Sequence, residues 1–333
     1  MIDEAIEQLT MNQDLTYDEM IQVMDEIMDG KVSSIKIASL LTGLSVKNPT
    51  VEEIAGAAHS MREHAAEFEA EHDAIDIVGT GGDHSNSFNI STTTSLVLAS
   101  MGIPVVKHGN RAASSKSGAA DVLQALGFNI DLDAATSQKM LEDKNFTFLF
   151  AQRYHQAMKY VAPVRKELGI RTIFNILGPL ANPAHAQSQL LGVYDAALLK
   201  PMAQVLQKLG VVNAKVIYGT DGLDEASISA PTKVVSVVNG KVGDVTTITP
   251  EEFGLKRYPK ADIIGGTPVE NAAITNAILA GEPGAKRDIV LLNAGLAINT
   301  IRPATSISEG IHLAAEAIDN GKPKQLLAEL LEY

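Results

Sequence analysis

The chain has 333 residues, 45% of them hydrophobic and 20% charged, with a net charge of −13 and no cysteine. That length exceeds what one hydrophobic core usually organises, so two domains, or one large domain with an appendage, are expected. The composition argues against long disorder. The lack of cysteine excludes disulfides, thiolate metal sites and a thiol nucleophile, and the acidic balance disfavours nucleic acid or an anionic membrane as general partner. Met1–Glu7 is acidic without an apolar h-region, so no signal peptide is read. No apolar run approaches the roughly 20 residues needed to span a bilayer, and a cytoplasmic location is expected. An acidic protein that binds an anion must gather its cations locally.

The first 70 residues read as helices. Thr16-x-x-Glu19 is a capping box followed by Met20, Val23, Met24, Ile27 and Met28 at helical spacing, with Gly30 as a stop. Ile35–Leu44 forms a second helix, and Thr50-x-x-Glu53 opens a third running to about Glu69. An apolar stripe left over on this bundle would suit a dimer interface. From Ala74 the pattern alternates: strand Ala74–Val78, helix Ser91–Met101, strand Ile103–Val106, helix Gly118–Leu126 and strand Phe146–Phe150. Ala157–Arg171 is helical and could pack back on the N-terminal helices. Strand Leu190–Tyr194, helix Lys200–Leu209 and strand Ala214–Tyr218 resume the alternation. Strands near Val234–Val238 and Asp288–Leu292 follow, then closing helices at Ser308–Asn320 and Pro323–Leu331. Such alternation implies an α/β domain with a mainly parallel sheet.

Gly79-Thr80-Gly81-Gly82-Asp83 follows the first strand directly. Glycines there let the backbone turn tightly and offer N–H groups to phosphate oxygens. The dinucleotide fingerprint is absent, since its third glycine would fall at His84, and no Gly-Lys-Ser/Thr of a P-loop follows. Asp83 would repel a bare phosphate, so a sugar phosphate with magnesium fits the loop better. Ser87-Phe88-Asn89-Ile90-Ser91-Thr92 then places polar side chains where a helix begins, a position that favours anions. The second loop, Lys107–Gly118, holds three cations (Lys107, Arg111, Lys116), three serines, two glycines and no acid before Asp121. It is the local cation cluster that a pyrophosphate would need. Both loops leave the same edge of the sheet, where α/β proteins bind ligands.

Asp221-Gly222-Leu223-Asp224-Glu225 follows strand Ala214–Tyr218 at another strand end. Magnesium takes oxygen ligands and usually binds through one or two carboxylates plus substrate phosphate, so this acidic turn is the candidate metal site. An arginine from the helical insert, Arg165 or Arg171, could pair with an acceptor's carboxylate; spacing alone does not choose between them.

With these residues in hand, the chain closely resembles the anthranilate phosphoribosyltransferases of tryptophan biosynthesis. The signatures are Asp76–Asp83, Phe88–Thr92, Lys107–Arg111, Val161–Gly169, Arg171–Asn175, Leu177–Leu180 and Asp224-Glu225, in family order. The resemblance implies a small α-helical bundle domain (1–70 with about 157–180) and a larger α/β domain (71–156 and 181–333) of the nucleoside-phosphorylase-like arrangement, with homodimerisation through the helical part. It implies phosphoribosyl diphosphate as donor, matched by Gly79, Gly82, Asp83, Ser87, Asn89, Ile90, Ser91, Thr92, Lys107, His108, Gly109, Asn110, Arg111, Ala112, Ala113, Ser114, Ser115 and Ala119. Gly79, Asn110 and Arg165 match the anthranilate contacts, and Ser91, Asp224 and Glu225 the ligands of Mg2+, with two ions per site expected. Lys107, Asn110 and Arg165 are expected to act nearest the reacting groups. The chain departs from the family pattern at Gln152 and Gln156, where proline is usual, and at Ala119, where a hydroxyl residue is commoner. The implied reaction is magnesium-dependent transfer of the 5-phosphoribosyl group to anthranilate, without nucleic acid or membrane as partner. Two rivals are a pyrimidine nucleoside phosphorylase and a non-catalytic nucleic-acid-binding relative. The Lys-His-Gly-Asn-Arg loop and the Asp-Glu pair oppose the first, and the charge of −13 the second.

Overall fold

The computed structural model describes residues 1–68, 74–112 and 115–333; Glu69, Ala113 and Ser114 lie outside the described residues. Four helices lead, α1 (Ile2–Thr10), α2 (Tyr17–Met28), α3 (Ser34–Lys47) and α4 (Val51–Glu63). Both predicted capping boxes form, Thr16 with Glu19 and Thr50 with Glu53, each satisfying orphan N–H groups of a first turn. Glu53 does more, since it is fully buried, accepts from the Leu15 N–H at 2.9 Å and pairs with Lys47 at 2.9 Å. The helix α1 was not singled out from the sequence, and α4 ends before the expected limit.

Then follow β1 (Ile75–Gly79), α5 (Ile90–Ser100), β2 (Val105–Gly109), α6 (Ala119–Ala125), α7 (Ala134–Lys144) and β3 (Phe146–Phe150). The insert contains α8 (Ala151–Tyr154), a 3-10 turn at Gln156–Tyr160, α9 (Ala162–Leu168) and α10 (Phe174–Leu177). The chain continues through β4 (Ser188–Gly192), α11 (Leu199–Lys208), β5 (Asn213–Gly219), β6 (Thr232–Val238) and β7 (Lys241–Ile248). It closes with α12 (Pro268–Leu279), α13 (Ala285–Ile301), α14 (Ile307–Asp319) and α15 (Lys322–Leu330).

One expectation fails: Asp288–Leu292 is not a strand but part of the buried helix α13. A short apolar run reads alike as a buried strand or a buried helix, and here apolar residues extend around the whole circumference. The helices α7 and α12 and the strand β7 had no counterpart in the sequence reading.

The seven strands form one sheet in the order β3-β2-β1-β4-β5-β6-β7, parallel from β3 through β5 and antiparallel at β6 and β7. The α/β expectation of a mainly parallel sheet is met. One face is covered by α5, α6 and α12–α15, whose apolar residues meet Ile75, Ile77, Val105 and Ile217. On the other face α1–α4, α9, α10 and α11 share a single core with Leu191, Val193, Ala214, Val216 and Val235. The helical part therefore has no core of its own separate from the sheet. α9 packs on α3 and α10 on α4, so the insert lies against the N-terminal helices.

Candidate active site

The chain runs from β1 outward to β2 and β3 and returns to β4 on the other side of β1. The crevice this reversal leaves at the carboxyl ends of the strands is where open α/β sheets hold ligands. Gly79 and Gly192 are register partners at the ends of β1 and β4. A Cβ on Gly79 would strike the Asp224 carboxylate, and one on Gly192 the Asp224 backbone. The two glycines thus form a notch in which the acidic turn is seated across the strand ends.

Asp224 Oδ2 accepts from the Gly81 N–H at 2.7 Å, and Asp83 Oδ2 from the Asp224 N–H at 3.4 Å. The glycine loop bends through left-handed conformations at Gly81 and Gly82, and at His84 and Asn86 beyond them. Three carboxylates gather here. Burial, then repulsion from Asp83, pushes Asp224 up to about 7; burial, then repulsion from Asp224, pushes Glu225 up to about 8. Lys107 lies beside them, 1% exposed, and its Nζ donates to the Ile77 carbonyl at 2.6 Å and to Ser91 Oγ at 3.3 Å. Burial lowers its pKa, while Asp76 and Glu225 oppose that fall.

Hard oxygen donors raised in pKa by burial and mutual repulsion are what a divalent cation would relieve, so Asp224, Glu225 and the Ser91 hydroxyl fit magnesium. Among the described residues no group of three or more His, Cys, Asp or Glu converges on one metal position. A cation held here would therefore complete its coordination with phosphate oxygens and water.

On α5, Asn89 makes no side-chain cap; its amide joins the end of the second loop instead, with Nδ2 donating to the Ser117 carbonyl at 3.1 Å. Ser117 Oγ and Asn271 Nδ2 both donate to Asn89 Oδ1, at 3.1 and 2.9 Å. Thr92 Oγ1 is buried without a hydrogen-bond partner. The Ile90 side chain belongs to the core, leaving only its backbone to meet a ligand. Ser87 pairs through a single bridge with Ile264.

The cation cluster read from the second loop proves partly neutralised. Arg111 Nη1 donates to Asp121 Oδ1 at 3.0 Å and to Gln124 Oε1 at 3.0 Å, and its guanidinium lies over Phe150. Asp121 Oδ2 also accepts from the N–H groups of Ala112 and Gly118, at 2.8 and 2.9 Å. The carboxylate ten residues after Arg111 organises the loop, a role its spacing could have suggested. Ser115 and Lys116 are exposed, and Ala119 packs beneath Gly109.

The two arginines left open by spacing behave differently. Arg171 Nη2 donates to the Gly82 carbonyl at 2.8 Å and the guanidinium stacks on Tyr194 at 4.2 Å. The Arg165 guanidinium lies over Phe174 and makes no hydrogen bond or ion pair among the described residues, which leaves it available to a ligand. Asn110 Oδ1 accepts from the Arg111 N–H at 2.8 Å and from Gln152 Nε2 at 3.3 Å, so one departure from the family pattern touches a predicted acceptor contact. His108 is buried edge-on to His155, its Nε2 without a hydrogen-bond partner among the described residues. Burial and then His155 lower its pKa well below the usual range, so the ring is neutral. Sequence reasoning gave no role to Asp76, Asn182 or Arg62, all buried within this framework.

Residues 3–65 match the family described as glycosyl transferase family, helical bundle domain, and residues 71–324 its a/b domain. The anthranilate phosphoribosyltransferase of Lacticaseibacillus paracasei is 58% identical over 333 residues, covering 100% of this chain and 97% of the relative. The crystal structure of the Thermus thermophilus anthranilate phosphoribosyltransferase superposes with a TM-score of 0.93 at 42% identity, covering 98% of each chain. The Saccharomyces cerevisiae enzyme in complex with PRPP and Mg gives 0.91 at 29% identity, covering 99% of this chain and 97% of that one. On this ground, with the crevice built as described, the chain belongs to the anthranilate phosphoribosyltransferases.

Proposed function

We propose that this crevice transfers the 5-phosphoribosyl group from phosphoribosyl diphosphate to anthranilate, giving N-(5-phosphoribosyl)anthranilate and pyrophosphate, the second step of tryptophan biosynthesis from chorismate. The observation that carries the reading is the seating of Asp224 over the Gly79/Gly192 notch, with Glu225 and the buried Lys107 beside it. The pyrophosphate lies between the glycine loop, with the start of α5, and the loop Lys107–Ser115. Ser91, Asp224 and Glu225 would hold magnesium, two ions per site, which would supply positive charge to the departing pyrophosphate.

The aromatic amine of anthranilate is unprotonated at neutral pH, so no strong base is needed before attack. The residues instead orient and stabilise. Lys107 and the loop N–H groups face the charge that develops as pyrophosphate leaves, and Arg165 with Asn110 and Gly79 aligns the acceptor with the anomeric carbon. The displacement is oxocarbenium-like with inversion. We further propose the division into a helical domain of 1–70 with about 157–180 and an α/β domain formed by the remainder. A cytoplasmic homodimer through the helical part is also proposed; exposed Met11, Ile35 and Val46 support an apolar contact there.

Loss of anthranilate fluorescence on adding phosphoribosyl diphosphate and magnesium tests the reaction. No loss at any magnesium concentration would refute it. Sedimentation tests the dimer, which a monomer at micromolar concentration would overturn.

A further inference from the structure

Between β1 and β2 the sheet opens. β1 pairs with β4 along Ile75–Gly79, and β2 with β3 along Val105–Gly109, but β1 meets β2 only at Ile75 and Val105. The next step of a parallel ladder would join the Ile77 N–H to the Val106 carbonyl and the His108 N–H to the Ile77 carbonyl. Side chains take three of these groups instead. Asn182 Nδ2 donates to the Val106 carbonyl at 2.8 Å and to Asp76 Oδ2 at 2.8 Å. The Asp76 carboxylate accepts from the His108 N–H through Oδ1 at 3.4 Å. Lys107 Nζ occupies the Ile77 carbonyl. With Asp76, Lys107 and Asn182 all at most 2% exposed, this opening is a built feature and not fraying at a strand end.

Asn182 is itself held firmly. Its Oδ1 accepts from the Ala184 N–H at 2.9 Å. The carbonyls just before it are each engaged by a buried side chain: Pro179 by Gln189 at 2.7 Å, Leu180 by Arg62 Nε at 2.6 Å and Ala181 by His155 Nε2 at 2.8 Å. The segment that returns from the helical insert is thus pinned residue by residue before it delivers the Asn182 amide into the gap.

The end of β1 carries the glycine loop and the end of β2 the cationic loop, so the opening sets the distance between them. We propose that Asn182, acting on Asp76 and the Val106 carbonyl, is a positioning residue that keeps β1 and β2 apart at the width of the diphosphate donor. Without it the four ladder groups are free to pair with each other. The strands then close by one step, and Lys107 loses its anchor on the Ile77 carbonyl. This inference rests on the reading that the donor lies between the two loops.

The test is steady-state kinetics on the full-length protein, with thermal melts as a check of folding. Asn182→Ala should raise KM for phosphoribosyl diphosphate about tenfold or more while KM for anthranilate stays within about twofold. A purely structural role would lower Tm and the active fraction, and hence kcat, while leaving both KM values in place. Asp76→Asn is isosteric and serves if Asn182→Ala does not fold. An amide there cannot accept from both the His108 N–H and the Asn182 amide, so the same donor-specific rise is expected. Because both side chains act through one bridge, the double variant should be no worse than the worse single variant. Unchanged KM values, donor and acceptor KM rising together, or multiplying effects in the double variant would overturn the proposal. If the wild-type protein itself does not turn over these two substrates, the functional reading fails first and takes this inference with it.

Discussion

The two sides of the crevice are built on opposite principles. On the acidic side, Asp224 is buried across a notch of two glycines with Glu225 beside it, and among the described residues Lys107 is the cation that acts on Glu225. On the cationic side, Arg111 and Lys116 are exposed, and Asp121 folds back to neutralise Arg111 and tie down two backbone N–H groups. The acidic side holds its charges in an unfavourable state that only a ligand relieves. The cationic side is partly compensated, its Arg111 already paired with Asp121. Substitutions on the two sides should therefore differ in size and in kind.

The largest effect is expected from Asp224→Asn with Glu225→Gln. Turnover followed by anthranilate fluorescence should fall by about a thousandfold or more, because the carboxylates proposed to hold the cation are gone. Turnover and magnesium dependence left intact would break the comparison at its acidic end. Next comes Gly192→Ala, a position with no predicted ligand contact. Its methyl would displace the Asp224 backbone, so kcat should drop about a hundredfold by misplacement alone. Asp121→Ala should be milder, raising KM for phosphoribosyl diphosphate by about three- to tenfold as the loop loses its internal acceptor. A larger effect than that of Gly192→Ala would show that the cationic side holds more of the site than its exposure suggests.

The smallest effect is a trend in stability. Asp224 and Glu225 titrate as a pair, with folded-state pKa values raised to about 7 and about 8 from 3.8 and 4.5. Between these limits the folded protein binds more protons than the unfolded chain, so stability falls as pH rises. In chelator, Tm should decline from about pH 5 to pH 8, and the Asn/Gln double variant should flatten that decline. A wild-type Tm that rises over this interval would contradict the burial of the pair.

Much of this was legible in the residues. Phe146–Phe150 is a strand at the expected limits because its five residues are buried on both faces. The capping boxes at Thr16 and Thr50 mark their helices because the signal is local. The run Asp288–Leu292 misleads for the opposite reason: α13 is buried nearly all round, so it lacks the polar face that gives a helix its period. Within the site, the loops and the acidic turn could be placed at strand ends because each follows its own strand. The neutralisation of Arg111 was within reach, since Asp121 lies in the first turn of the helix that follows the loop and spacing alone brings it close. The bridge from Asn182 to Asp76 was not, because it joins residues 106 apart and depends on which strands become neighbours. The difference between Arg165 and Arg171 was likewise hidden, since it turns on Gly82 and Tyr194, which meet Arg171 only in the folded chain.

The single core that α1–α4 share with β4 and β5 has a consequence for how the chain is made. The N-terminal helices leave the ribosome first, yet their apolar faces find Leu191, Val193 and Val216 only after the chain is synthesised past β5. Until then part of their apolar surface is uncovered by the sheet, so this stretch is where a nascent chain would call on a holding chaperone. The same dependence means that a cut near residue 65 would leave apolar surface bare on both pieces.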